Sequence, residues 1–104
     1  MTPTVGRIVH YKLTAQDAEQ VNRRRKDADA NRQNHSDAAL GYVAHIGNPA
    51  FEGDVYPMLI VRVWGTTPES SVNGQVFLDG NDVLWATSVA VGEGPRTFAW
   101  PQRG

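Results

Sequence analysis

The chain has 104 residues, of which 40% are apolar and 20% are charged, so it has the size and composition of one globular domain. It contains no cysteine, which excludes disulfides, thiolate metal sites and a cysteine nucleophile. The net charge of −1 argues against nucleic-acid binding driven by bulk charge. We therefore expect a single domain over residues 1–104, with nucleic acid disfavoured as a partner.

The sequence carries no sign of membrane insertion or export. No apolar run reaches the length of a membrane span. Residues Met1–Tyr11 lack the basic start and apolar core of a signal peptide. These features predict a cytoplasmic protein with no membrane contact.

The first predicted strand, Val5–Lys12, is rich in β-branched and aromatic residues. A helix is predicted next, because Thr14 followed three residues later by Asp17 resembles a capping box in which Asp replaces the usual Glu. We expect this helix to run from Ala15 to about Asn31, within a helical insertion over about residues 14–34. Its apolar stripe is thin and is interrupted by a charged residue, so the helix is expected to bury only a narrow strip.

The rest of the chain reads as antiparallel strands separated by Gly, Asn and Pro turns. The strongest signal is Asp79-Gly80-Asn81-Asp82 between two apolar runs, which is typical of a β-hairpin. The predicted strands after the helix are Tyr56–Trp64, Gly74–Leu78, Val83–Ser88 and Thr97–Trp100. The predicted fold is mainly β (α+β): a small SH3-like five-stranded barrel or bent antiparallel sheet, with one helix inserted between strands 1 and 2.

The most unusual feature is a run of four cations that follows Asn22 on the predicted helix, Arg23-Arg24-Arg25-Lys26. Consecutive helical residues are about 100° apart, so these side chains cannot share one face. Arg23, Arg24 and Lys26 are interpreted mainly as a solvated face, although Arg24 is kept among the candidate ligand contacts. Arg25 lies in the apolar stripe with Val21 and Ala28 and must find a carboxylate, carbonyls or a phosphate. It could line a site, or pair with acids of its own helix.

No catalytic or metal constellation is evident. The three histidines, His10, His35 and His45, do not have the spacing of a zinc site, and no thiolate is present. The serines lack the surroundings of a nucleophile elbow, and no glycine-rich phosphate loop occurs. The sequence therefore predicts no catalytic residue, no metal and no cofactor.

The three tryptophans, Trp64, Trp85 and Trp100, all fall on predicted strands, where packing in the core is the preferred interpretation. The alternative is a stacking platform for a base, close to the helix face that carries a guanidinium for a phosphate. That alternative defines the candidate ligand-binding set, which is Tyr11, Asn22, Arg24, Arg25, His45, Asn48, Trp85 and Ser88.

Several segments of the chain resemble a family of small proteins encoded by tailed phages and prophages. They are Pro3–Tyr11 (PTVGRIVHY), Asn22–Arg25 (NRRR), His45–Asn48 (HIGN), Gly53–Pro57 (GDVYP), Arg62–Gly65 (RVWG) and Val72–Ser88 (VNGQVFLDGNDVLWATS). The resemblance covers most of the chain outside Ala28–Ala44. It implies a phage or prophage origin, a location in the host cytoplasm and an accessory role exercised by binding, but it implies no particular ligand.

Three functions follow as hypotheses. The first is sequestration of a small phosphorylated immune signal of the cyclic-nucleotide or ADP-ribose type, an anti-defence role in which a homo-oligomer is expected. The alternative is a protein-interaction module that binds a host or virion protein through an exposed edge strand or loop. The third, ranked last, is an enzyme that degrades such a nucleotide with His10 or His45 as acid or base.

Overall fold

The computed structural model describes residues 1–32 and 44–102, and of residues 31 and 32 only the backbone. Within these residues, one helix and five strands follow one another along the chain. They are β1 (Ile8–Lys12), α1 (Ala15–Arg32), β2 (Val55–Val63), β3 (Val72–Phe77), β4 (Val83–Val91) and β5 (Thr97–Ala99).

The five strands form a closed barrel in the order β1-β2-β3-β4-β5. Neighbouring strands are antiparallel, except that β5 runs parallel to β4 and antiparallel to β1, which closes the barrel. The helix lies between β1 and β2 in the chain. The predicted five-stranded barrel with one inserted helix is therefore confirmed.

Alternation along the strands builds the core. In β1, Val9 and Tyr11 are buried while Ile8 and His10 are exposed, as expected for successive side chains on opposite faces of a strand. In β2 the buried positions are Met58 and Ile60. Every described strand contributes to one cluster, and Leu13, Ala18, Val21 and Ala50 from outside the strands join it. The helix thus packs on the barrel through the narrow apolar strip that its sequence predicted.

The predicted capping box is present at the start of α1. The backbone N–H of Asp17 donates to Thr14 Oγ1 at 2.9 Å, and the N–H of Thr14 donates to Asp17 Oδ2 at 3.1 Å. Each side chain satisfies a backbone donor that the first turn of a helix leaves without a partner. The helix ends at Arg32, one residue beyond its predicted end at about Asn31. The last residues of the predicted insertion, 33 and 34, lie outside the described part of the chain.

The prediction that the tryptophans pack in the core holds for one of the three. Trp64 is 53% exposed and Trp85 is 64% exposed, so neither is a core residue. Only Trp100 packs against the core, with its ring edge-on to Phe98 at a centroid distance of 6.1 Å. The prediction of core packing is therefore wrong for these two. Trp85 shares its strand face with the exposed Val83, whereas Leu84 and Ala86 point inward. Trp64 directly follows the last residue of β2, Val63.

Two further observations complete the fold. β1 begins at Ile8 rather than at Val5, which is 66% exposed.

Within the described residues, no helix has both the length and the apolar character needed to cross a membrane.

Candidate functional site

Arg25, the main candidate for ligand binding in the sequence, is 8% exposed, and its guanidinium is hydrogen-bonded to other groups of the chain. Its Nη1 and Nη2 donate to the two carboxylate oxygens of Asp82 at 3.1 and 3.0 Å. Its Nη1 also donates to the carbonyl of His45 at 2.8 Å, and its Nε donates to the carbonyl of Asn48 at 3.2 Å. This bidentate geometry is the strongest form of an Arg–carboxylate pair. The guanidinium therefore has a structural role that requires no ligand.

Arg24 shares the same carboxylate. Its Nη1 donates to Asp82 Oδ2 at 3.1 Å and to the carbonyl of Val83 at 3.0 Å, so it is not the solvated cation that the sequence suggested. The Asp82 side chain is only 2% exposed. Burial by itself would raise the pKa of Asp82, but the hydrogen bonds and charges of Arg25 and Arg24 outweigh it and lower that pKa below its ordinary value. We call Arg24, Arg25 and Asp82 the arginine–aspartate node.

Two glycines allow the chain to approach this node closely. Gly47 and Gly80 form an isolated antiparallel bridge. A Cβ on Gly47 would collide with the backbone of Asp79 and Gly80 and would lie 3.0 Å from Arg25 Cζ, while a Cβ on Gly80 would lie 2.8 Å from Arg25 Nη2. The bridge can therefore cover the guanidinium only because both positions lack side chains. The node holds three separate parts of the chain together: α1, the segment around Gly47, and the β3–β4 turn.

The other predicted residues near the helix also have partners inside the chain. The Asn22 amide exchanges two hydrogen bonds with the backbone of Ala50, at 2.9 and 2.8 Å. Asn48 donates its amide hydrogen to Asp79 Oδ2 at 2.9 Å. The His45 ring lies at the rim of the node, with Nδ1 3.9 Å from Asp82 Oδ2. His35 lies outside the described residues.

Tyr11 and Trp85 meet at a different place, around a small polar cavity of about 130 Å³. The cavity is lined by Tyr11, Asp17, Trp85, Ala86, Thr87 and Arg96. The Tyr11 hydroxyl donates to Asp17 Oδ2 at 2.5 Å, and its pKa is raised because burial and the neighbouring Asp17 carboxylate both disfavour the phenolate. Arg96 donates from Nη2 to the carbonyl of Thr87 at 3.3 Å.

Ser88 belongs to a third place on the barrel. It lies at a bulge of β4 with a φ of 53°, and its backbone N–H donates to Asn73 Oδ1 at 2.8 Å. The same oxygen accepts the indole N–H of Trp64 at 3.0 Å, and the Arg62 guanidinium stacks over that indole at 4.0 Å. The eight predicted residues are thus divided among the node with its surroundings, the Tyr11–Trp85 cavity and this bulge, and they do not form one pocket.

The feature that sequence reasoning missed is an exposed apolar patch on the outside of the β3–β4 hairpin. Phe77 and Val83 are directly opposite each other and are 42% and 40% exposed. Trp85, opposite Gln75, is the next outward residue of β4 and is 64% exposed. Adjacent outward positions on paired strands are close enough for these side chains to contact one another or a common partner. We call Phe77, Val83 and Trp85 the hairpin face.

The sequence indicates the arginine–aspartate node and the hairpin face only in part. The sequence predicts that Arg25 needs a carboxylate or carbonyls, but the acids nearest to it in sequence are those of its own helix, whereas Asp82 is 57 residues away. The hairpin face was hidden because Val83-Leu84-Trp85-Ala86 is apolar at every position, so the sequence does not tell which alternate set points outward.

Among the described residues, no group of three or more His, Asp or Glu side chains is placed to hold a metal ion. Comparison of the chain with known protein families, with curated proteins and with solved structures found no match.

Proposed function

We propose that this chain is a protein-interaction module that contacts its partner through the hairpin face. The observation that supports this most directly is Trp85, a tryptophan left 64% exposed on a regular strand. Scattered apolar residues are common on protein surfaces, but a contiguous exposed cluster that includes a tryptophan is typical of a binding surface. The resemblance to phage-encoded proteins supports a host or virion protein, met in the host cytoplasm, as the partner.

The charge pattern of the barrel supports the same proposal. The charged side chains on β1–β5 are Lys12 and Arg62, and none of these five described strands carries Asp or Glu. The acidic residues between 44 and 102 all lie in loops; they are Glu52, Asp54, Glu69, Asp79, Asp82 and Glu93. Burying the hairpin face therefore requires no carboxylate of the strands to lose water, which keeps the cost of desolvation small.

Sequestration of a nucleotide-type signal by a homo-oligomer is a second proposal, with less support from the site. Such sequestration requires a guanidinium and an amide that are free to bind a phosphate. Arg25 and Asn22 instead have partners within the chain, and a ligand phosphate would have to displace Asp82. Stabilisation of the protein by a cyclic dinucleotide or an ADP-ribose derivative in a thermal-shift panel would favour this second proposal.

The test of the first proposal compares two exposed tryptophans. Wild-type protein, Trp85→Thr and Trp64→Thr are immobilised, and proteins retained from bacterial lysate and from disrupted virions are quantified. We expect a protein retained by the wild type and by Trp64→Thr but at least tenfold less by Trp85→Thr, because a tryptophan that is a binding hot spot contributes about 2 kcal/mol or more. Threonine keeps the strand preference of the position, and circular dichroism verifies that both variants fold.

Equal retention by all three proteins would contradict a role for the hairpin face. Recovery of no protein by the wild type from either source would contradict the proposal as a whole.

A further inference from the structure

The barrel is closed along only part of β4. This strand has nine residues, Val83–Val91, but β5 pairs with it only at Ala90 and Val91. From Val83 to Thr87, β4 has β3 on one side and, among the described residues, no strand on the other. Within residues 1–32 and 44–102, no other strand covers this edge of the barrel, although Arg24 and Arg96 border it. The stretch carries the most exposed residue of the hairpin face.

Register determines which backbone groups face that edge. The N–H of Leu78 donates to the carbonyl of Asp82, so the even-numbered residues of β4 up to Ala86 exchange hydrogen bonds with β3. The N–H and C=O groups of Val83, Trp85 and Thr87 therefore point away from β3. Arg24 donates to the Val83 carbonyl and Arg96 to the Thr87 carbonyl, which is direct confirmation of that direction.

Between these two carbonyls, Trp85 presents both its N–H and its C=O without a hydrogen-bond partner in the described part of the chain. One residue of an extended chain could pair with both groups, as in any antiparallel ladder. The flanking arginines already occupy the neighbouring carbonyls, so pairing cannot extend far along β4. Cations placed in this way also protect a free edge against indiscriminate strand addition.

The polar cavity lies beside the same edge and adds chemical selectivity. It is lined by a carboxylate from Asp17 and a guanidinium from Arg96, together with the Tyr11 hydroxyl. A charged side chain entering it would meet a like charge on one wall. A hydroxyl or carboxamide side chain could accept from Arg96 and donate to Asp17, and either group is small enough for about 130 Å³.

We propose that the partner is bound as a short extended segment that pairs with the backbone of Trp85. The segment lays an apolar side chain on the hairpin face and places a neighbouring Ser, Thr, Asn or Gln side chain in the polar cavity. Successive side chains of an extended chain point to opposite faces, which suits this division between the two surfaces. The inference rests on the proposed function and specifies how the same surface recognises its partner.

The experiment uses peptides selected from a random twelve-residue display library on the wild-type protein. Those whose affinity falls at least tenfold on Trp85→Thr, but not on Trp64→Thr, are synthesised with a methyl group on one backbone nitrogen at a time. We expect one methylation near the middle to weaken binding at least tenfold, because it removes the donor to the Trp85 carbonyl. We also expect hydrogen exchange at the Trp85 amide to slow at least tenfold in the complex, and replacement of one Ser, Thr, Asn or Gln of the peptide by Leu to weaken binding.

The outcomes separate the inference from the function on which it rests. Peptides that need Trp85 but tolerate methylation at every nitrogen, and leave its amide unprotected, would overturn strand pairing while supporting the hairpin face as a binding surface. A library without any Trp85-dependent peptide would also overturn the inference, and retention of a protein from lysate that needs Trp85 would still uphold the function. A dimer in sedimentation equilibrium that Trp85→Thr dissociates would assign the edge to a second copy of the chain instead.

Discussion

At the scale of single residues, the ion pair between Arg25 and Asp82 is expected to contribute most clearly to the free energy of unfolding. Replacing Arg25 by Gln removes the bidentate partner of a nearly buried carboxylate and leaves Arg24 as its remaining arginine partner among the described residues. We expect Arg25→Gln to lower the free energy of unfolding by about 3 kcal/mol, since breaking a buried pair from one side is strongly destabilising. Urea unfolding followed by tryptophan fluorescence measures the change.

The matched control is Arg23→Gln, two positions earlier on the same helix. Arg23 pairs with Glu19 at 3.3 Å, but both side chains are largely exposed, so we expect a change of less than about 0.5 kcal/mol. Similar losses for the two variants would show that the node has no special energetic role.

The same pair predicts how stability depends on pH. Folding lowers the pKa of Asp82, so the native state binds its proton more weakly than the unfolded chain does. The resulting stabilisation is complete above the ordinary carboxyl pKa of about 4 and is lost as the pH falls from there toward the lowered value. We expect the unfolding free energy of the wild type to fall more steeply below pH 4 than that of Asp82→Asn. Parallel pH profiles for the two proteins would contradict this prediction.

Asp82 also shows the limit of residue-level reasoning from sequence. The need of Arg25 for an acceptor was predictable, because a guanidinium in an apolar stripe cannot remain unpaired. The identity of that acceptor depends on the contact between the β3–β4 turn and α1, with glycine at positions 47 and 80 to permit the close approach. No local pattern in the sequence specifies such a contact.

At the scale of elements, α1 depends on its cap. The helix is highly polar and buries only a few small residues, so little of its stability comes from packing. We expect Thr14→Ala to destabilise the protein by about 1 kcal/mol, whereas Thr14→Ser, which retains the capping hydroxyl, should have less than half that effect. Equilibrium unfolding of the two variants provides the comparison, and equal losses would contradict a role for the hydroxyl.

The elements differ in how well the sequence specifies them, for physical reasons. The capping box and the Asp-Gly turn are local: Thr14 and Asp17 satisfy each other, and Asp79–Asp82 turns the chain within a few residues. Both were predicted correctly. The outward direction of Trp85 is set by register across β3, a non-local property, and the preference of tryptophan for cores gave the wrong answer there.

At the scale of the whole molecule, the helical segment is an insertion into a β-hairpin. Lys12 pairs with Val55, and the next residue, Leu13, exchanges backbone hydrogen bonds with Gly53 and Asp54 at 3.0 and 2.9 Å. The two ends of the insertion are therefore adjacent, and a short turn can replace it without altering the strand order. A five-stranded barrel was one of the two architectures predicted from the strands, whereas the parallel pairing of β5 with β4 was not predicted. The dependence of the barrel on the insertion is visible only in the structure, through the node and through the packing of Ala18, Val21 and Ala50 in the barrel core.

That dependence can be measured by excising Thr14–Glu52 and joining Leu13 to Gly53 through a short Asn-Gly turn. We expect the shortened chain to keep a β-type circular dichroism spectrum but to unfold at lower urea concentration, because the barrel loses the apolar contacts of Ala18, Val21 and Ala50. In the full chain, Asp82→Asn should be destabilising, because it removes the charge that Arg24 and Arg25 bind. In the shortened chain the arginines are gone, so the same substitution should be neutral or stabilising. If Asp82→Asn destabilised both chains equally, the carboxylate would act within the hairpin itself and not as the anchor of the helix.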